Sequence, residues 1–364
     1  MPLYMDLHIL PGVKARDVAE AHRRDLLIQD DHRCNCMTYW IDERRGNVFC
    51  LIEAPDRIAV SEMHRKAHGL IPHKIIEVNS RLVESFLGRI SDPDDAVMLD
   101  GYKVFSDESR RTMMVLRMPD PVLLKHALAD KASGIIKSQH YIIRKELTSH
   151  EGHEIKQGGD DYIVSFSSAA NAIRCAISIR DVLTDMSPGE AAPRFGMHVG
   201  DPVAQSEELF GDVIRVAAIL GGIGKAFEIS VSADVRDLAA KDRLMMDERF
   251  FRKIASADEQ FLQQLFQVID ESYRDPAFSI DDCGQRMTMS NSQLYRKTIA
   301  LTGLTPSAVL KEYRLQQARQ LLRRGSPTIA QITYDTGFAS PSYFTKVFKK
   351  EYGLLPAQYL DLRG

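Results

Sequence analysis

The chain has 364 residues, 44% of them hydrophobic and 27% charged; these ordinary globular values exclude wholesale disorder, and at ~100–200 residues per domain the length calls for two or three domains. The formal net charge of −3 is uneven: from Ala277 to the end there are 12 Lys and Arg against 6 Asp and Glu, so this segment is +6 and the remainder −9, as expected of an acidic body carrying a nucleic-acid-binding tail. No apolar run approaches the ~18–20 residues that span a bilayer, residues 1–6 lack the basic and apolar parts of a secretory signal, and five cysteines do not make a disulfide framework, so a reducing, cytoplasmic location without membrane attachment is expected.

In the first region Leu3, Met5, Leu7 and Ile9 alternate with Tyr4, Asp6, His8 and Leu10, the period of a half-buried strand. Residues 15–29 read as a helix, 37–41 and 48–52 as strands about a polar turn, 59–68 as a helix closed by Gly69, and 75–78 as a last strand. This βαββαβ order is the ferredoxin-like plan. Residues 91–95 mark a break. The second region, 113–237, alternates strand and helix signals: strand at 163–166, helix at 169–183, a Ser187-Pro188-Gly189 turn, strand at 195–199. Residues 241–253 are charged and linker-like, and 259–360 are almost all helical. The expected fold class is multidomain α+β: a ferredoxin-like domain over 1–90, an α/β domain over 108–240 and an all-α domain over 257–364.

Metal-ligand residue types crowd the first region: Asp6, His8, His22, His32, Cys34, Cys36, His64, His68 and His73. Cys34 and Cys36 share one face of a strand start, and His64 and His68, at i and i+4 on a helix, can share a metal ion. The topology brings His8 toward His64 and His68 and leaves Cys34 and Cys36 at the opposite edge with His32 and Glu53, so two clusters are expected. His8, Cys34, Cys36, His64 and His68 are the candidate ligands, with donors suited to nickel, zinc or copper, or to thiol sensing at the cysteine pair. Cys50 and Cys175 read as core. Trp40, with Tyr39 and Phe49, either lines an organic-ligand pocket on the open sheet face or fills a dimer interface. The segments MPLYMDLHILPGV, MTYWIDERRGNVFCLIEAPD and EMHRKAHGLIPHKIIEV resemble a small ferredoxin-like family of bacterial proteins with a nickel-binding member, which implies a metal-responsive sensor domain.

The second region, on EIKQGGDDYIVSFSSAANAIRCAISIRDVL, RFGMHVGDPV and ELFGDVIRVAAIL, resembles class III nucleotide cyclase domains. An active cyclase needs two carboxylates to hold two metal ions, and an Asn and an Arg to orient ribose and neutralise developing charge. The resemblance places one carboxylate at Asp160 and a base-contacting lysine at Lys156. It places the second carboxylate near Arg117, the Asn at Arg215 and the Arg at Ile219. A cation where a metal ligand belongs repels the metal, so no catalytic residue is assigned and no enzyme activity is expected. The resemblance leaves a head-to-tail dimerisation surface and a remnant nucleotide site at Lys156 and Asp160; Arg117 and Arg215 suit an anionic ligand.

Two helix-turn-helix units read from the third region. In the first, Ser290 caps a helix whose Leu294 points inward and whose Ser292, Gln293, Arg296 and Lys297 lie outward together. In the second, Gly337 makes the turn, Ser340-Pro341-Ser342 opens the helix, and Ser340, Ser342, Tyr343, Thr345, Lys346 and Lys349 are the DNA-facing candidates. The segments SNSQLYRKTIALTGLTPSAVL, RLQQARQLL and TIAQITYDTGFASPSYFTKVFKKEYGLLPAQY resemble the DNA-binding domain of AraC/XylS-family transcription regulators. The resemblance implies two recognition helices in successive major-groove segments about one turn apart. Cys283-Gly284 departs from the family's usual Leu-Ala. The expected function is a homodimeric, sequence-specific regulator that binds double-stranded operator DNA and is modulated by metal or thiol chemistry in its first domain. The alternative is a regulator that senses a nucleotide or other small anionic ligand through the inactive cyclase-like domain.

Overall fold

In the computed structural model, which describes residues 1–99, 101–155, 161–186, 191–244, 246–325 and 328–363, the alternating N-terminal segment forms strand β1 (Leu3–Ile9). It is followed by α1 (Ala15–Ile28), a 3-10 turn (Gln29–His32), β2 (Asn35–Asp42), β3 (Asn47–Glu53), α2 (Arg57–Ala67) and β4 (Lys74–Val78). The sheet order β2-β3-β1-β4, with antiparallel neighbours throughout, is the expected ferredoxin-like one. Helices α1 and α2 cover one sheet face through Val18, Ala19, Val60 and Met63, packed on Tyr4, Tyr39, Ile41 and Ile52. Two short elements extend this domain: α3 (Ser80–Leu87), capped by the Asn79 side chain, and a hairpin of β5 (Val97–Leu99) and β6 (Tyr102–Val104). Phe105, just past the hairpin, stacks on Tyr39 at a ring distance of 4.1 Å.

The central domain contains β7 (Arg111–Arg117), α4 (Pro121–Leu128), α5 (Lys131–Ser149), β8 (His153–Ile155), β9 (Tyr162–Phe166), α6 (Ala169–Met186), β10 (Arg194–Gly200), α7 (Gly211–Ile223), β11 (Ile229–Val231), α8 (Ala233–Lys241) and β12 (Phe251–Lys253). The sheet runs β12-β11-β10-β7-β9-β8. Residues 241–253 are thus more than a linker. Phe251 is a buried anchor among charged neighbours, and its strand pairs parallel with β11. The expected Ser187-Pro188-Gly189 turn lies outside the described residues. On one face of the sheet, α6 packs Ile173 and Ala176 on Met114, Val164, Phe195 and Met197. On the other, α7 lies so close that a Cβ at Gly196 would meet the Ala217 carbonyl oxygen at 2.0 Å.

The free face of the N-terminal sheet closes on this second side. Leu3, Met5, Trp40, Phe49, Leu51 and Ile76 pack with Val83 and Phe86 of α3 against Met113, Val115, Phe210, Val213 and Ala217. Trp40 and Phe49 are fully buried. They therefore neither line an organic-ligand pocket nor face a second copy, because the chain's own central domain covers them. The Arg89 guanidinium sits 4.5 Å from the Trp40 ring centre and bonds to Asp107 (2.8 Å) and the Tyr39 carbonyl (2.6 Å).

The C-terminal helices are α9 (Ser256–Ser272), α10 (Ile280–Arg286), α11 (Asn291–Thr302), α12 (Pro306–Arg324), α13 (Ile329–Asp335), α14 (Pro341–Tyr352) and α15 (Pro356–Arg363). Val216, Ile219 and Leu220 of α7 share a core with Phe261, Leu262 and Leu265 of α9 and with Leu294 and Leu301 of α11. The second unit takes in Val122 of α4. The buried Asp120 carboxylate caps α4 through the Val122 N–H (2.9 Å), accepts the Tyr359 hydroxyl (2.7 Å) and faces Arg319 (3.2 Å). No helix among the described residues is long and apolar enough to cross a membrane.

Truncating a seam side chain leaves a cavity between two packed domains. Phe49→Ala is expected to destabilise the chain by about 3–5 kcal/mol, read as a lower urea midpoint. A midpoint equal to the parent's would mean that the seam does not stabilise the fold.

Candidate metal centre and nucleic-acid interface

On β1, Asp6 and His8 point to the helix-covered face, in register between Met5 and Leu7, which point the other way. Antiparallel pairing with β3 sets Met5 opposite Leu51, which brings Cys50 beside Asp6: the Cys50 N–H donates to Asp6 Oδ1 at 3.0 Å. From above, α2 lowers His64 onto this patch. Its Nε2 lies 2.8 Å from Asp6 Oδ2, and its Nδ1 lies 3.1 Å from Asp25 Oδ1 on α1. His8 Nε2 is 3.5 Å from Asp6 Oδ1, and the His8 and His64 rings meet edge to face at 4.9 Å. One turn on, His68 Nε2 approaches Asp25 (3.2 Å) and His64 Nδ1 (3.1 Å).

Two groups of ligand atoms result, Asp6–His8–Cys50–His64 and Asp25–His64–His68, each with all its atoms within 4.8 Å of one another. Donors bound at ~2.0–2.3 Å to one ion lie within about 4.6 Å of each other, so the first group fits a transition ion with small adjustments. His8 Nδ1 is buried without a hydrogen-bond partner among the described residues, which leaves its hydrogen-bonding capacity unmet. Mixed thiol, imidazole and carboxylate donors suit nickel, zinc or copper better than magnesium or calcium.

Burial alone would push the Asp6 carboxyl up and the His64 imidazole down, but their mutual attraction outweighs it. His8 and His64 hold Asp6 well below the usual carboxylate range, and Asp6 and Asp25 raise His64 to about 10. Asp25 is likewise lowered, its burial outweighed by His64 and His68. Burial and Asp6 push the Cys50 thiol up. Without metal, the cluster is an imidazolium held between two carboxylates over a neutral thiol.

His8, His64 and His68 are thus brought together, along with Asp6, Asp25 and Cys50. The sequence reading left Asp6 out of its ligand set and passed over Asp25; Cys50 lies in the core as expected, and its thiol also borders the cluster. The signal for Asp25 was a carboxylate in register with the buried stripe Val18, Ala19, His22 of α1. Cys34 and Cys36 stand in neither group. Cys34 Sγ lies 3.5 Å from the His32 carbonyl and Cys36 Sγ 3.6 Å from Met63 Sδ, and burial raises both thiols, Cys34 to about 11.

In the C-terminal domain, reciprocal capping boxes start α11 (Ser290 with Gln293) and α13 (Thr328 with Gln331), and Ser340 caps α14. Gly337, at φ +76°, makes the second turn; a Cβ there would meet the Tyr273 carbonyl oxygen at 1.9 Å. Gly284 lets α10 approach α11, since its Cβ would lie 2.8 Å from Asn291 Oδ1. The departure at Cys283-Gly284 is therefore a close contact. Ser292, Gln293 and Arg296 are exposed on α11, while Lys297 turns to α9, its Nζ 3.2 Å from the Ala257 carbonyl and 3.3 Å from Asp258. On α14, Ser342, Tyr343, Lys346 and Lys349 are exposed, and Ser340 and Thr345 half-buried. Tyr295 and Tyr334 add exposed aromatic surface that the sequence reading passed over.

In the central domain, Arg117 ends β7 as expected, its Nη1 3.0 Å from Asp161 Oδ2. Lys156 and Asp160 lie outside the described residues.

Residues 4–78 match the family described as nickel responsive protein SCO4226-like, and residues 283–361 match a helix-turn-helix domain family. The chain is similar to the crystal structure of SCO4226 from Streptomyces coelicolor A3(2), at 31% identity over 21% of this chain and 94% of that one, TM-score 0.20. It is 29% identical over 136 residues to the HTH-type transcriptional activator RhaS of Escherichia fergusonii, 36% of this chain and 49% of that one. It is also similar to an adenylate/guanylate cyclase/hydrolase from Silicibacter pomeroyi, at 24% identity over 38% of this chain and 83% of that one, TM-score 0.32. The chain spans 8% to 49% of the length of the first curated relatives it matches. An SCO4226-like domain at the N-terminal end and an AraC-type helix-turn-helix domain at the C-terminal end are therefore fused in one chain.

The raised His64 pKa sets a pH dependence for the metal-free chain. The imidazolium's contribution is complete below about 6.5 and falls as pH climbs toward about 10; the lowered carboxylates contribute above about 3.8 and lose their share on acidification. His64→Gln is expected to flatten the alkaline fall in Tm. An unchanged alkaline limb in that variant would place the titrating group elsewhere.

Proposed function

We propose that this chain is a DNA-binding transcription regulator whose N-terminal domain holds a transition metal ion and whose DNA binding responds to it. The observation that carries the DNA-binding part is the pair of capped helices α11 and α14, each presenting exposed polar and basic side chains. Arg296 and Gln293 on one, and Lys346, Lys349 and Ser342 on the other, are the groups that would reach base edges and phosphates. Two such helices on one chain suit successive major-groove segments of an operator.

The metal-responsive part rests on Asp6, His8, Cys50 and His64, which would hold the ion, with Asp25 and His68 orienting His64 from behind. A bound transition ion supplies positive charge and fixed ligand directions at this point, and nickel, named for the matching family, is the favoured one. Because ligand and seam residues alternate along β1 and β3, reorienting Asp6, His8 or Cys50 shifts Met5, Leu7, Phe49 and Leu51 against the central domain. The central domain acts in transmission and in pairing two copies. We infer that it has no cyclase activity, because Arg117 stands at the expected metal-ligand position and occupies the neighbouring Asp161.

Native mass spectrometry of the full chain, loaded separately with nickel, zinc and copper(I), tests the sensor and the oligomer together. One ion per chain in a two-chain particle is expected, lost in His64→Ala and kept in a Cys34→Ser/Cys36→Ser double variant. No bound ion, or loss in the cysteine variant alone, would overturn this ligand set. For the DNA interface, Arg296→Ala and Lys346→Ala are each expected to weaken binding to double-stranded DNA and to lower the salt slope by about one. Lys297→Ala should cost less, since its ammonium is engaged by α9. Unchanged affinity in the first two variants would reject these helix faces.

A further inference from the structure

Between the central and DNA-binding domains lies a cavity of about 1280 Å³, larger than the ~300–1,000 Å³ of pockets that hold drug-sized ligands. Its central-domain wall carries Arg117 at the end of β7, Arg194 at the start of β10 and Arg215 on α7, along with Glu228, which accepts the Lys225 N–H (2.9 Å), and Glu248, paired with Lys253 (3.3 Å). Arg117 and Arg194 stand directly opposite each other in the β7–β10 ladder, and like charges in that relation repel.

Among the described residues their neutralisation is incomplete. Arg117 donates to Asp161 (3.0 Å) and to the Ala218 carbonyl (3.2 Å), but its Nε is buried without a partner among them. Arg194 donates to the Gly222 carbonyl at 3.3 Å and has no carboxylate within 4 Å among the described residues. Burial, and then the Arg117 charge, lower its pKa. Arg215 has neither a hydrogen bond nor an ion pair among the described residues.

The facing wall belongs to α9 and α12. Its carboxylates are engaged locally: Asp270 accepts the Tyr313 hydroxyl, Glu271 the Gln267 amide at 3.0 Å and Glu312 the Gln316 amide at 3.2 Å. Among the described residues, none of these carboxylates lies within 4 Å of an arginine of the opposite wall. At the rim, Arg252 bridges the domains, donating to the Ile223 carbonyl (3.1 Å) and to the Leu301 carbonyl.

We propose that this cavity binds a phosphate-bearing small molecule, held by Arg117, Arg194 and Arg215 and enclosed by α9 and α12 of the DNA-binding domain. Guanidinium forks match phosphate oxygens in pairs, and a dianion there relieves the Arg117–Arg194 repulsion. The space beyond the arginines, lined by Phe266, Tyr313 and Gln316, takes the uncharged part of the molecule. Because the walls belong to two domains, occupancy biases how the DNA-binding domain sits on α7. The site is separate from the metal centre and stands or falls independently of it.

Isothermal titration of the full, metal-free chain with inorganic pyrophosphate, and with sulfate as a control anion, tests this. One pyrophosphate per chain is expected, weakened about tenfold or more by Arg194→Gln and by the exposed-site variant Arg215→Gln, and weakened less by Arg194→Lys, which keeps the charge and loses the fork. Arg296→Ala, on a recognition helix outside the cavity, should bind as the parent does. No heat with pyrophosphate, equal affinity in both Gln variants, or loss in Arg296→Ala would overturn the proposal; the last would mean that the anion was captured by the DNA-facing surface.

Discussion

Helix α7 takes part in both the core that joins the N-terminal sheet to the central domain and the core that joins the central domain to the first helix-turn-helix unit. Val213 and Ala217 lie in the seam with the N-terminal sheet, Val216, Ile219 and Leu220 pack on α9, and the helix rests on β10 at a distance that only Gly196 allows. A close-packed element shared by two cores cannot move toward one without moving against the other. A short run of packed contacts therefore connects the N-terminal sheet to the first helix-turn-helix unit: sheet, α7, α9. A second tie, Asp120 with Tyr359 and Arg319, fastens the other unit to α4. It is a charged contact in a buried place, where leaving either partner unpaired is costly.

The N-terminal domain couples chemistry to packing through the two-residue period of its strands. Polar ligand atoms occupy the helix-covered face of β1 and β3, and large apolar side chains occupy the face toward the central domain. The buried charges compensate one another in the metal-free state, with His64 between two carboxylates. Under the proposed function, a cation entering that cluster would compete with the proton on His64 and so link metal affinity to pH.

The ferredoxin-like plan was legible because alternation and turn signals set its strands, and the paired helix-turn-helix units because their caps and glycines recur in order. What escaped has identifiable causes. Strand β12 is three residues long and flanked by charges, so only Phe251 marks it. Helix α3 is short and owes its place to the seam that Val83 and Phe86 fill. The candidate cluster was half legible: the approach of His8, His64 and His68 follows from spacing and topology, whereas the placing of Cys50 beside Asp6 needs the β1–β3 register, which depends on pairing across the sheet. The third arginine of the interdomain cavity, Arg194, gains meaning only opposite Arg117, again a matter of register.

Trp40 is the chain's single tryptophan. It lies fully buried in the seam, its indole Nε1 without a hydrogen-bond partner among the described residues and its ring beneath Arg89. An indole in that setting is a built-in optical probe of one internal boundary. Its emission wavelength follows hydration of the joint between the N-terminal and central domains, and the DNA-binding helices, which have no tryptophan, add no background. Rearrangement at this joint can thus be followed by intrinsic fluorescence on the unlabelled chain, separately from events at the DNA-facing surface.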